Sequence, residues 1–87
     1  MSVIFTFVEV LWDDAHTDMD SWVAVGDLDL EPCSVLTVGL LLAEVKPKHI
    51  AIAQSWNVSG EVDSVLFIPV GMVRSMRVLF AGGVNGL

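Results

Sequence analysis

Apolar residues gather in short, dense blocks separated by polar or proline-bearing breaks, and the blocks are built largely from β-branched and aromatic side chains. Val3-Ile4-Phe5-Thr6-Phe7-Val8-Glu9-Val10-Leu11-Trp12 contains no Gly or Pro and predicts a long first strand. Val35 to Glu44 is a second run, with Gly39 in its middle marking a bulge or a close approach of backbones. Lys46-Pro47-Lys48 supplies a turn. From His49 to Trp56 the pattern alternates, with Ile50, Ile52, Gln54 and Trp56 on one face and His49, Ala51, Ala53 and Ser55 on the other, so these two runs predict a hairpin. Asn57 to Asp63 is a further turn region, Ser64 to Ile68 a fourth strand stopped by Pro69, and Pro69 to Val73 one short helical turn. Arg74 to Phe80 is the last strand, with Met76, Val78 and Phe80 on one side. This pattern predicts one β domain over residues 1–80 and a flexible Gly-rich tail over 81–87.

The segment from Asp13 to Ser34 breaks the rhythm. A connection of 22 residues is far longer than the usual 4 to 6, and such loops tend to be functional or to hold short elements of their own. Within it, Trp22-Val23-Ala24-Val25 reads as a short strand or a core anchor, and Asp27-Leu28-Asp29-Leu30-Glu31 as one helical turn. A helix over residues 13–31 would make the domain α+β, but the stretch shows no sustained 3.6-residue apolar period. No internal repeat is present.

Size and composition sharpen this picture. The chain has 87 residues, enough for one domain, and 54% of them are hydrophobic before its seven glycines are counted, against about 45 to 50% with glycine in ordinary soluble domains. A domain so small buries only about 60 to 65% of its unfolded surface, so this much apolar material predicts self-association into a homo-oligomer. Net charge is −7 and unevenly spread: residues 1–45 hold nine Asp or Glu and no Lys or Arg, while residues 46–87 hold Lys46, Lys48, Arg74 and Arg77 against Glu61 and Asp63. That balance disfavours direct nucleic-acid binding, which needs a basic stripe to displace counterions. A two-signed surface also suits head-to-tail contacts between copies.

The longest stretches free of Asp, Glu, Lys and Arg are twelve residues, too short for a membrane helix of about 18, so no membrane partner is expected. The N-terminus lacks the charged start of a secretory signal, and Asn57-Val58-Ser59, a glycosylation sequon in form, reads as an ordinary turn. Cys33 is the only cysteine and is expected to be a small buried hydrophobe in a reducing, cytoplasmic compartment.

One long strand, an excursion, then short strands with a proline-containing turn before the last is the element order of small, partly open SH3-like or Sm-like barrels of about five strands. Phe67-Ile68-Pro69-Val70-Gly71-Met72-Val73-Arg74-Ser75-Met76-Arg77-Val78-Leu79 resembles the last turn and strand of that class. A broader pattern comprises Trp12-Asp13-Asp14-Ala15-His16, Ser34 to Leu42, Ile52-Ala53-Gln54-Ser55 and Leu66-Phe67-Ile68-Pro69. Together these are similar to small proteins of tailed bacteriophages with a Trp-x-Asp-Ala-His corner and an Ile-Pro turn. The resemblance implies a viral protein in the host cytoplasm and brings no assigned activity, hence no catalytic residue.

The candidate chemistry lies around the long loop. Asp14, His16, Asp18 and Asp20 alternate at spacing two, as metal ligands on an extended segment would, but the calcium-loop signature fails: its glycine is missing and Val25 stands where its last Glu belongs. No metal or cofactor is expected, and a solvated acidic loop is the simpler reading. A recognition reading uses Trp12 and Trp22 to stack a flat ligand such as a nucleobase, Asp14 and His16 as polar partners, and Arg74 or Arg77 of a neighbouring copy against its phosphate. Against it stands the commoner role of strand-flanking tryptophans as core anchors. No nucleophile motif is present, and Gly82-Gly83-Val84-Asn85-Gly86 lacks the Lys-Ser or Lys-Thr pair of a phosphate loop. The sequence therefore predicts a non-enzymatic, oligomeric binding protein of phage type, sequestering a nucleotide signal or a host factor in anti-defence. Two alternatives are a virion or assembly component and an acidic mimic that occupies a host DNA-binding protein.

Overall fold

A computed structural model describes residues 2–17, 22–43 and 45–85. The apolar blocks become five antiparallel strands: β1 (Ser2–Asp14), β2 (Cys33–Leu42), β3 (His49–Trp56), β4 (Val62–Pro69) and β5 (Val73–Asn85). They form one sheet in the order β4-β3-β2-β1-β5. The small, all-β, partly open architecture expected from the pattern is the one observed. The sheet does not close, so β4 and β5 remain as its two edges. The short helical turn before the last strand is a 3-10 turn at Val70–Met72.

The burial pattern explains why β1 reads as an unbroken apolar run. Successive side chains of a strand point to opposite faces, yet both Phe5 and Val8 are buried. Val8, Val10 and Trp12 pack with Ile52 and Ile68 in one cluster, to which Val35, Leu41, Ile50 and Val73 add. Phe5 packs with Leu40 and Ala53 in a second, joined by Phe7, Leu42, Trp56 and Val65. Cross-strand partners keep the two sets apart, because Leu41 faces Ile52 while the adjacent Leu40 faces Ala53. The sheet thus carries apolar packing on both faces, which is also why Ala51, Ile52 and Ala53 are all buried despite the alternation read in the sequence.

Gly39 lies where β2 and β3 come closest. A Cβ there would sit 2.6 Å from Cγ2 of Ile52 and 2.8 Å from the carbonyl oxygen of Ala53, so the close approach predicted for this glycine is real.

The C-terminal segment departs from expectation. Residues 81–85 are not a flexible tail: Ser2 to Thr6 pair with Ala81 to Asn85, extending β5 by five residues past Phe80. These β1 residues precede the first residue paired with β2, Phe7, so they form a two-stranded ribbon beyond the rest of the sheet. Such ribbons are marginal alone. Here Phe5 pins the base, its ring edge-on to Trp56 at 5.3 Å, and the Phe80 ring lies over Gly82, supplying side-chain cover that the glycine lacks. Gly86 and Leu87 lie outside the described residues. The ribbon lengthens the molecule to 59 × 22 × 21 Å, with a radius of gyration of 16.9 Å against about 12 Å for a compact chain of this length.

The long loop is shorter than predicted, because Asp13 and Asp14 pair with Ser34 and Cys33 and belong to the strands. Trp22 to Val25 forms neither a strand nor a core anchor; these residues are exposed, and a 3-10 turn follows at Val25–Asp27. Leu30 and Glu31 are not helical; the Glu31 amide donates instead to Asp29 Oδ1 at 3.0 Å. Cys33, at the start of β2, is half-buried, less hidden than its apolar neighbours implied.

Candidate functional site

The residues singled out in the sequence fall at separate places. Trp12 closes one core cluster; it is 8% exposed, and its Nε1–H donates to Thr37 Oγ1 at 2.9 Å. A buried indole with its only donor satisfied offers no free face for stacking, so Trp12 is a core anchor and not a ligand platform. Trp22 is fully exposed, and His16 and Asp14 are also exposed. Among the described residues, no group of three His, Cys, Asp or Glu is placed to hold a metal ion, while Asp18 and Asp20 lie outside them.

Arg74 and Arg77 are drawn inward along the sheet. β5 carries two extra residues relative to β1, Leu79 and Arg74, so Arg74 is itself a bulge residue while Arg77 stands in regular register opposite Glu9. Arg77 Nε and Nη2 donate to Glu9 Oε1 and Oε2 at 2.9 and 3.3 Å, a two-point pair between directly opposed residues. Arg74 lies 3.7 Å from Asp13 Oδ1, which also accepts from the Ser34 hydroxyl at 3.3 Å. Both guanidinium groups remain solvent-accessible, but each is matched by a carboxylate of its own chain. Among the described residues no hydrogen bond or ion pair joins any two of Trp12, Asp14, His16, Trp22, Arg74 and Arg77.

Two concavities lie elsewhere. One, of about 290 Å³, is lined by Ser55, Trp56, Asn57, Glu61, Val62 and Asp63 beside the β3–β4 turn. Asn57 organises that turn: its Oδ1 accepts from the amides of Ser59 and Glu61, and its Nδ2 donates to Glu61 Oε1. The sequon asparagine is therefore committed to turn structure, with Gly60 supplying the positive φ of 81°. The second, of about 430 Å³, is lined by Lys46, Pro47, Lys48, His49 and Val70. The signal for this basic corner is local, three potential cations within four residues, but in the sequence Lys46-Pro47-Lys48 announces only a turn.

No helix among the described residues is long and apolar enough to cross a membrane. No family model, curated protein or solved structure matches the chain.

Proposed function

We propose that this protein is a non-enzymatic, self-associating β module in which the outer edge of β5 receives an extended strand from a second copy, the role of an assembly component. The observation that carries this reading is the length and apolar character of that edge. β5 runs for 13 residues, pairs with β1 on one side, and among the described residues has no strand along its other backbone edge. Met76, Val78, Leu79 and Phe80 along it are about half exposed, and Ile4 beside it on β1 is 75% exposed. Unpaired N–H and C=O groups flanked by apolar side chains form a template for strand addition. The opposite edge is guarded: β4 has eight residues, Ser64 within it at a φ of 54°, and Pro69 at its end. Copies therefore join at β5 in preference to β4. An assembly role is favoured over ligand capture at Trp12 and Trp22 because Trp12 is already consumed by the core.

Sedimentation equilibrium on the full chain, with Phe80→Lys and Val78→Lys tested beside it, decides the matter. The parent chain is expected to sediment as a defined oligomer and the two variants as single subunits, each retaining cooperative thermal unfolding. A parent chain that stays a single subunit throughout the micromolar range overturns the proposal. So does an oligomer that neither charge disturbs.

A further inference from the structure

The four basic side chains divide into two environments. Arg74 and Arg77 face carboxylates of β1, whereas Lys46 and Lys48 flank Pro47 in the β2–β3 turn, with His49 following as the first residue of β3. That turn is held from three sides. Lys48 adopts a left-handed φ of 59°, the His49 amide donates to the Lys46 carbonyl at 3.3 Å, and the Val70 amide donates to the Lys48 carbonyl at 2.9 Å. His49 Nδ1 lies 2.8 Å from the Pro47 carbonyl oxygen, so Nδ1 carries a hydrogen and Nε2 is left for another partner. Lys46 Nζ stands over the Phe67 ring at 5.2 Å, which restrains a side chain that would otherwise roam.

These groups border the 430 Å³ cleft, within the size range of small-molecule sites, and no carboxylate is among its described lining residues. We propose that this cleft is an anion site that takes the phosphate group of a small phosphorylated molecule, with Lys46 and Lys48 as the charges that hold it, His49 Nε2 as an acceptor for a hydroxyl of the organic part, and Pro47 and Val70 as the apolar wall beside it. Charge distribution decides the ligand class. A chain of net charge −7 repels long polyanions, and a nucleic-acid backbone leaving this corner would run over the acids of the rest of the surface. A compact anion engages the described lining groups of the cleft, Lys46 and Lys48 among them. The arginines cannot supply that charge as well, since Glu9 and Asp13 offset them.

The site is independent of self-association through β5 and is tested separately. Amide chemical shifts of the full chain are followed at low salt as inorganic phosphate, pyrophosphate, AMP and, as control, adenosine are added. Expected are shifts at Lys46, Lys48, His49 and Val70 with the phosphorylated probes and none with adenosine, and a loss of about tenfold or more in pyrophosphate affinity in Lys46→Gln/Lys48→Gln. Arg74→Gln is expected to bind as the parent does. Absence of shifts at millimolar probe, shifts centred on Arg74 and Arg77, or undiminished affinity in a folded double-glutamine variant would each overturn the assignment.

Discussion

Trp12 on β1 donates its indole N–H to the hydroxyl of Thr37 on β2, one cross-strand step removed from its direct partner Val35. The bond lets the largest side chain of the core enter an apolar cluster without leaving a polar atom unpaired. It ties local strand register to the packing of Val8, Val10, Ile52 and Ile68.

Thr37→Val keeps the shape of this contact and removes the acceptor. The expected cost is about 1 to 2 kcal/mol, because the indole donor stays in its partly buried position without a partner. Urea unfolding should show a lower midpoint at unchanged slope. A midpoint equal to that of the parent would mean that water replaces the hydroxyl and that the bond contributes nothing.

Two glycines in strands should respond by very different amounts. At Gly39 an added methyl meets Ile52 and the Ala53 carbonyl oxygen, and backbone cannot turn aside, so Gly39→Ala is expected to cost about 1 to 3 kcal/mol or prevent folding. At Gly82 the nearest atom is Cζ of Phe80 at 3.0 Å, the far end of a movable ring. Gly82→Ala should change stability by less than about 1 kcal/mol, with the gain in strand preference offsetting the ring shift. Thermal melts of the pair side by side check the ordering, and equal losses would refute the packing account of Gly39.

Asn57→Ala removes the acceptor for two amides and a donor to Glu61 in the β3–β4 turn. A loss of about 1 kcal/mol is expected, modest because these groups can turn to water. Hydrogen exchange should localise the change, with faster exchange at the Ser59 and Glu61 amides and little effect at Ile52. A uniform rise across the sheet would contradict a turn-confined role.

The Arg77–Glu9 pair has good geometry yet an exposed arginine, so a double-mutant cycle with Arg77→Gln and Glu9→Gln is expected to give a coupling of at most about 1 kcal/mol, shrinking as salt is raised. The proposed self-association through β5 would give the pair a second role, matching charge along the edge that a second copy approaches. If so, Glu9→Gln weakens self-association at low salt more than it lowers the melting temperature. The reverse ranking would argue that the pair serves the fold alone.

The five strands were legible because each rests on local information: β-branched and aromatic density in β1, alternation in β3, Pro69 ending β4 and Asn57 with Gly60 shaping a turn. The alternation from His49 to Trp56 coincides with β3 at both ends. The site residues were less legible. Nothing local distinguishes a tryptophan whose N–H will find Thr37, 25 positions away, from one such as Trp22 that stays in solvent.

Sequence alone determined the strand count, the turn positions, the acidic excess and the surplus of apolar side chains, since all of these follow from residue type and nearest neighbours. Tertiary structure decided the rest. It paired the glycine-rich end with the first residues of the chain, set Arg74 and Arg77 against carboxylates more than sixty positions back, and brought Val70 against the Lys46–His49 turn to complete a cleft. The physical reason is common to all three: backbone pairing between distant strands fixes which side chains meet, and a glycine or an arginine carries no local mark of the partner that β1 provides.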